Sequence, residues 1–280
     1  MKLLKSADAL RSFVIQSREN GLSVGFVPTM GALHPGHISL IEKAKSENNI
    51  SICSIYVNPT QFNNADDFKK YPKTIEHDID MLEKWGCDVL FLPDTNEVYI
   101  KEFVISHYNL GYLESLLEGK YRPGHFQGVC QVVHRLLQIV MPDKLYLGRK
   151  DYQQCMVISR LIELTKINTE VVICPTLREP DGLAMSSRNL RLNENQRRTA
   201  VQIYETMQLI KTEIAPGNLS HLRQKAENKL SDAGFRVDYV EIADATSLEP
   251  INVWNGQQKA VVLVAAYLDD IRLIDNLAVS

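Results

Sequence analysis

No stretch of the 280-residue sequence approaches the roughly 18 consecutive apolar residues that a transmembrane helix needs. The N-terminal segment MKLLKSADALRSFVIQSREN carries charges throughout and lacks the uninterrupted apolar centre of a signal peptide. A basic excess is missing as well: 31 lysines and arginines stand against 34 acidic residues, a formal net charge of −3. That balance argues against a nucleic-acid binder, although a phosphate site needs only local positive charge. The five cysteines, Cys53, Cys87, Cys130, Cys155 and Cys174, form no CxxC pair, and their number is odd. A disulfide framework and a cysteine-type zinc site are therefore disfavoured, and buried free thiols in a reducing cytosol are expected. There is no internal repeat and no low-complexity segment. These absences point to a cytoplasmic protein that enters no membrane and binds no nucleic acid.

What is present has the balance of a soluble globular protein, 45% apolar and 23% charged, with length for one large domain or two smaller ones. Short apolar runs at 23–27, 50–57, 88–92, 144–147 and 170–174 alternate with helical patterns at 36–46, 74–85, 126–140 and 152–166. Strands that are apolar throughout and separated by helices predict a parallel sheet covered on both faces, a doubly wound, Rossmann-like α/β domain. Ligands of such a sheet bind beyond the carboxyl ends of its strands, where the strand order switches. After Pro175 the pattern changes. The stretch TLREPDGLAMSSRNLRLNENQ is mostly polar and reads as a long functional loop or hinge. Helical patterns at 194–214 and 219–233 follow, then strand-like runs at 236–242, 260–267 and 271–274, the last two joined by a turn in LDD. The expected division is a Rossmann-like domain over 1–175 and a smaller C-terminal α+β domain over 176–280.

The segment FVPTMGALHPGHISLI, residues 26–41, places two histidines and two glycines between a buried strand and a helix. Pro35 suits the first turn of a helix, where its missing N–H costs nothing. Gly31 and Gly36 remove side chains where a ligand must approach the backbone. A helix N-terminus offers free N–H groups and partial positive charge, both suited to phosphate. Imidazoles there can donate to phosphate oxygens and stabilise charge as it develops. Two plainer readings compete: histidines that only cap a turn, and a zinc pair. The zinc pair needs a third ligand and a spacing of the H-E-x-x-H kind, neither of which is evident. HPGH has the form HxGH, and so resembles the nucleotide-binding signature of class I aminoacyl-tRNA synthetases and nucleotidylyltransferases.

Five further segments agree with it in order: VNPTQF (57–62), YPKT (71–74), YRPGHFQGV (121–129), LGRKDYQQ (147–154) and DGLAMSSRN (181–189). With PTMGALHPGH at the front, the set closely resembles the pantothenate synthetase (pantoate–β-alanine ligase) family over nearly the whole chain. The resemblance implies an ATP-dependent condensation of (R)-pantoate with β-alanine through pantoyl adenylate, releasing pyrophosphate and AMP. It also implies Mg2+ bound with the ATP phosphates, with no protein ligand of the metal assigned, and a homodimer. The first domain would bind ATP and pantoate, and the second would form a lid over the site.

Carried over residue by residue, the resemblance makes His37 the proton donor and His34 its neighbour on the phosphates. Met30, Gly31, Ala32, Leu33, Pro35 and Gly36 complete that ATP-binding stretch. Lys150 would bind phosphate and steady the transition state. Ser186, Ser187 and Arg188 would form a second phosphate clamp, for which the plainer reading is a polar linker with a helix cap. Gly148, Arg149 and Asp151 belong to the ATP-binding set, with Asp151 on the ribose, and Leu177 and Met185 would flank the adenine. Gln61 and Gln154 would hold pantoate, since a neutral amide both donates and accepts. Asn58 stands near them. Arg122 and His125 resemble residues on the pantoate and β-alanine side, or else mark a helix-start turn. Arg149 departs from the family, which commonly has Glu there, and carries no assigned role. Two rival functions stand beside this one: a nucleotidylyltransferase that keeps the nucleotide on its product, and a nucleotide-binding module without turnover.

Overall fold

The five apolar runs of the first 175 residues, with a short strand ahead of them, build six parallel strands in the computed structural model, which describes residues 1–63, 65–100 and 106–279. In chain order the elements are β1 (Lys2–Leu4), α1 (Ala7–Glu19), β2 (Val24–Thr29), α2 (Pro35–Glu47) and β3 (Ile50–Ile55). Then come α3 (Ala65–Lys69), α4 (Ile75–Lys84), β4 (Val89–Phe91), α5 (Thr95–Val98), α6 (Leu117–Tyr121) and α7 (His125–Val140). The series ends with β5 (Lys144–Gly148), α8 (Tyr152–Thr165) and β6 (Glu170–Cys174). The strand order is β1-β4-β3-β2-β5-β6, every pairing parallel. From β2 the chain proceeds through β3 and β4 to one side and later through β5 and β6 to the other. The order therefore switches between β2 and β5, the position where open α/β sheets bind ligands.

Burial on both faces explains the largely apolar character of the central strands β2 to β5, while the edge strands β1 and β6 are partly exposed. All six residues of β3 are buried. Val27, Cys53, Ile55 and Leu90 meet Leu40, Ile41 and Ala44 of α2 and Leu82 of α4, while α7 packs on β2 and against α1. All five cysteines are free and buried, as their scatter through apolar runs led one to expect. Among the described residues no helix is long and apolar enough to cross a membrane.

The N-terminal segment forms an edge strand, β1, paired with β4, and then α1, whose cap Ser6 accepts from Ala9 N–H. The strand did not stand out in the sequence, because three residues make too short a pattern.

At the start of β5 and the end of α2, the Glu47 carboxylate takes Lys43 and Lys144 as ion partners and accepts from the Tyr146 hydroxyl (2.9 Å). Those contacts, Lys43 first, hold the Glu47 carboxyl down at about 2. A depressed carboxylate adds stability above its unfolded value, which is lost as pH falls toward the folded one. The melting temperature should therefore drop between about pH 4.5 and pH 2, and Glu47→Gln should flatten that part of the profile. A variant profile parallel to that of the parent would show the cluster to be neutral for stability.

The chain divides into two compact units: Met1–Arg149 with Gln153–Pro175, and Lys150–Tyr152 with Thr176–Ser280. The short segment around Lys150 thus groups with the second unit. That unit contains α9 (Glu194–Ala200), α10 (Gln202–Glu213), β7 (Gly217–Asn218), α11 (Ser220–Asp232), β8 (Arg236–Asp244), β9 (Val253–Trp254), β10 (Ala260–Leu268) and β11 (Ile271–Ala278). An antiparallel sheet in the order β11-β10-β8 carries Val240, Ile242, Val262 and Val264 against Ile203, Met207 and Ile210 of α10 and Leu222, Ala226 and Leu230 of α11. The LDD turn closes the β10–β11 hairpin, with Leu268 opposite Ile271 and Asp269 at φ 52°. The single helix expected over 194–214 is two. Its ladder of hydrogen bonds breaks at Val201, although that residue keeps helical dihedrals.

Candidate active site

Strand β2 ends at Thr29, whose hydroxyl donates to Ser54 O (2.8 Å) and accepts from Gly31 N–H (3.2 Å). The chain then turns through Gly31 at φ 81° and Ala32 at φ 48°. A side chain on Gly31 would begin 3.0 Å from Asp78 Oδ2 and from Ile55 Cγ2, so the position suits glycine in both conformation and space. His34 is the N-cap of α2 and Pro35 is its first residue. His34 N–H donates to His37 Nδ1 (3.3 Å), and the two imidazole centroids lie 4.0 Å apart. With Nδ1 accepting, the proton of the neutral His37 ring sits on Nε2, which is then the donor nitrogen. The amides of Ala32 and Leu33 donate to Asp78.

A second cluster of the same unit surrounds Gln61, in the 3-10 turn Pro59–Gln61. Gln61 Nε2 donates to Met30 Sδ (2.8 Å), which ties the turn to the segment ahead of HPGH. His125 Nδ1–H donates to Gln61 O (2.8 Å), and Arg122 reaches the same oxygen at 3.5 Å while pairing with Glu118. Asn58 is fully buried. Its amide nitrogen donates to Gly128 O and Gln61 Oε1, and its oxygen accepts from Thr60 and from Tyr99 Oη. Asn58 thus stands beside Gln61, as expected, and its amide helps to hold the turn that carries Gln61. Gln154 is half-buried on α8. Its neighbour Gln153 is buried and committed to Glu118 N–H, Leu113 O and Leu116 O. Gly148 closes β5 and Arg149 is exposed beyond it.

In the second unit, Asn276 Nδ2 donates to Lys150 O (2.8 Å) and anchors the main chain under the lysine, beside half-buried Asp151. Arg178 grips Asp275 with two hydrogen bonds (2.6 and 3.0 Å), donates to Asn276 O and Gly182 O, and lies 4.5 Å over the Tyr204 ring. Burial pushes the Asp275 carboxyl up, and Arg178 opposes that shift. Arg178 bridges to Ala184, and Met185 N–H donates to Leu177 O (3.1 Å). Leu177 and Met185, eight positions apart in the chain, are therefore side by side. Asp181, held low by Arg197, accepts from Leu183 N–H and fixes the intervening bend. Ser186 Oγ accepts from Arg188 N–H (3.3 Å) at the start of the 3-10 helix Ser187–Arg191, and Ser187 is buried.

Sequence reasoning missed Asp78, Gln153, Arg178, Asp275 and Asn276. Two of them leave a trace. Asp78 occupies the apolar stripe 75, 78, 79 and 82 of α4, and Asp275 falls on the inward positions 271, 273 and 275 of β11. Among the described residues, no three His, Cys, Asp or Glu side chains converge to hold a metal ion.

The family model for pantoate–β-alanine ligase matches residues 2–278. Pantothenate synthetase of Cytophaga hutchinsonii is 43% identical over 279 residues, covering 99% of this chain and 98% of that protein. That of Azobacteroides pseudotrichonymphae is 42% identical and covers 99% of each. The crystal structure of pantothenate synthetase from Thermus thermophilus superposes with a TM-score of 0.91 at 38% identity, over 100% of this chain and 99% of that one. A pantoate–β-alanine ligase from Francisella tularensis, complexed with beta-gamma ATP and β-alanine, superposes with a TM-score of 0.85 at 39% identity, over 100% and 98%. With the HPGH turn at the switch point of a six-stranded parallel sheet, and relatives matched end to end, the chain belongs to the pantoate–β-alanine ligase family.

Proposed function

We propose that the chain performs its family's reaction in two steps on ATP. The carboxylate of (R)-pantoate attacks the α-phosphorus, the bond to the bridging oxygen breaks, and pyrophosphate leaves a pantoyl adenylate. The amine of β-alanine then attacks the acyl carbon. The C–O bond to AMP breaks, the amine loses a proton, and pantothenate and AMP depart. Pantoate is already ionised at neutral pH, so no protein nucleophile is required, and the work is positioning and charge stabilisation.

In the first unit, His34 and His37 at the N-terminus of α2 bind phosphate, with His37 Nε2–H donating where charge builds as pyrophosphate leaves. Gln61 and Gln154 hold pantoate, and Asn58, Arg122 and His125 stand on the pantoate and β-alanine side, each also bonded to the Gln61 turn. In the second unit, Lys150 and the Ser186–Ser187–Arg188 segment bind phosphate, Asp151 the ribose, and Leu177 with Met185 the adenine. Magnesium accompanies the ATP phosphates, an arrangement usual for this ion, and needs no cage of protein ligands. The buried free thiols suit a reducing compartment. We place the enzyme in the cytoplasm as a homodimer, the assembly its family resemblance implies.

The observation that carries this reading is the HPGH turn, with His37 Nδ1 accepting from His34 N–H so that the ring proton sits on Nε2. Incubation with ATP, pantoate and β-alanine should give AMP, pyrophosphate and pantothenate in equal amounts, with AMP release dependent on β-alanine. A product retaining the nucleotide would identify a nucleotidylyltransferase instead, and no turnover at all a binding module.

A further inference from the structure

Asp78 is fully buried, yet it lies on the apolar stripe of α4 among Ile75, Ile79 and Leu82. Its donors are two consecutive backbone amides and a hydroxyl. Oδ2 accepts from Ala32 N–H (2.9 Å), and Oδ1 accepts from Leu33 N–H (2.8 Å) and from Thr74 Oγ1 (3.0 Å). A buried carboxylate is tolerated only when its oxygens are satisfied, and bonds to an ionised acceptor are the strong ones. Both amides belong to the turn leading into the HPGH helix, on the other side of which α2 packs through Leu40 and Ile41 into the core shared with Leu82.

We propose that Asp78 is a positioning residue for the reaction: by gripping the amides of Ala32 and Leu33 it sets the direction in which His37 presents its Nε2 proton. The proposal rests on the reading of HPGH as the phosphate site. The chain of contacts is short. The carboxylate holds Ala32 in the left-handed conformation (φ 48°), which alanine adopts rarely. Leu33, the second residue gripped, directly precedes His34. The His34 N–H then donates to His37 Nδ1 and selects the tautomer. The grip also commits two loop amides to the carboxylate, so that the imidazoles and the first turn of α2 are the donors to phosphate. An Asn in this place offers a single acceptor oxygen, and its amide nitrogen confronts an N–H. It can therefore satisfy one loop amide but not both.

The test compares Asp78→Asn with Leu82→Ala, which opens a cavity in the core under the same helix but leaves the carboxylate's bonds to the Ala32 and Leu33 amides in place. Both should lower the melting temperature. Well below it, Asp78→Asn should reduce the maximal rate of pantoate-dependent ATP–pyrophosphate exchange about tenfold or more per folded molecule, since small misplacements of a catalytic group are costly. Its KM for ATP should change less than about threefold, because binding is spread over many groups while the transition state depends on one proton. Leu82→Ala should keep the exchange rate of the parent. If Asp78→Asn does not fold, Thr74→Val, which removes one donor, should show the same split at smaller size. A readout independent of substrate is the 15N spectrum of His37. The parent should show the Nε2–H tautomer, and the variant a mixture. Absence of exchange in the parent would count against the phosphate-site reading alone, with the spectrum still deciding the role of Asp78. Exchange undiminished in the folded variant, or an unaltered His37 spectrum, overturns the proposal.

Discussion

His37→Ala and Lys150→Ala should each lower the rate of adenylation by about 100-fold or more, about 3 kcal/mol, and change ATP affinity less. The asymmetry follows from where charge appears. Negative charge grows on the leaving oxygen and the α-phosphorus only as the bond to pyrophosphate breaks, so donors aimed there favour the transition state over bound ATP. In its proposed role, His37 is prepared for that task. Its Nδ1 accepts from His34 N–H, and its ring lies 4.0 Å from that of His34. Lys150 is prepared from behind, through Asn276 Nδ2 on its carbonyl, with Asn276 itself set by Arg178 and Asp275. Single-turnover formation of the adenylate is the measurement. Near-normal rates in either variant would remove that residue from the chemistry.

Gly128→Ala should raise the KM for pantoate by roughly 5- to 150-fold, the equivalent of about 1–3 kcal/mol for overpacking a closed contact. The KM for ATP should stay nearly constant. A Cβ at Gly128 would lie 2.4 Å from Thr60 O and 2.9 Å from Gln61 Cα, atoms of the backbone that cannot swing aside. The cheapest relief is a shift of the Pro59–Gln61 turn, which carries Gln61 away from its place beside Met30 and strains the Asn58 bond to Gly128 O. Gln61→Ala and Gln154→Ala should move the same parameter, because a pantoate hydroxyl buried without its partner loses about 1–3 kcal/mol. Steady-state kinetics with each substrate varied in turn separates the outcomes. A rise in the KM for ATP with that for pantoate unchanged would put the Gln61 turn on the wrong substrate.

The residues differ in how openly the sequence declares them, and the reason is physical. The parallel sheet was legible because its central strands, buried on both faces, are largely apolar, and the partly exposed edge strand 170–174 was also bounded to the residue. The HPGH turn was legible because proline, glycine and a strand end all restrict the backbone locally. Groups that act across long separations in the chain were not. Asp78 reaches amides 46 and 45 positions away, and Arg178 meets Asp275 across 97. Nothing in a one-dimensional pattern joins such partners. Adjacent identical residues pose a further problem. Gln153 and Gln154 look alike in LGRKDYQQ, and only the rotation of α8 buries the first and leaves the second half-exposed.

Exchange of labelled pyrophosphate into ATP, with pantoate present and β-alanine withheld, tests the two-step account most directly. Exchange should require pantoate and proceed without β-alanine, because the adenylate forms before the amine takes part. Exchange that strictly requires β-alanine would contradict an enzyme-held pantoyl adenylate, and with it the order of steps assigned to His37 and Lys150.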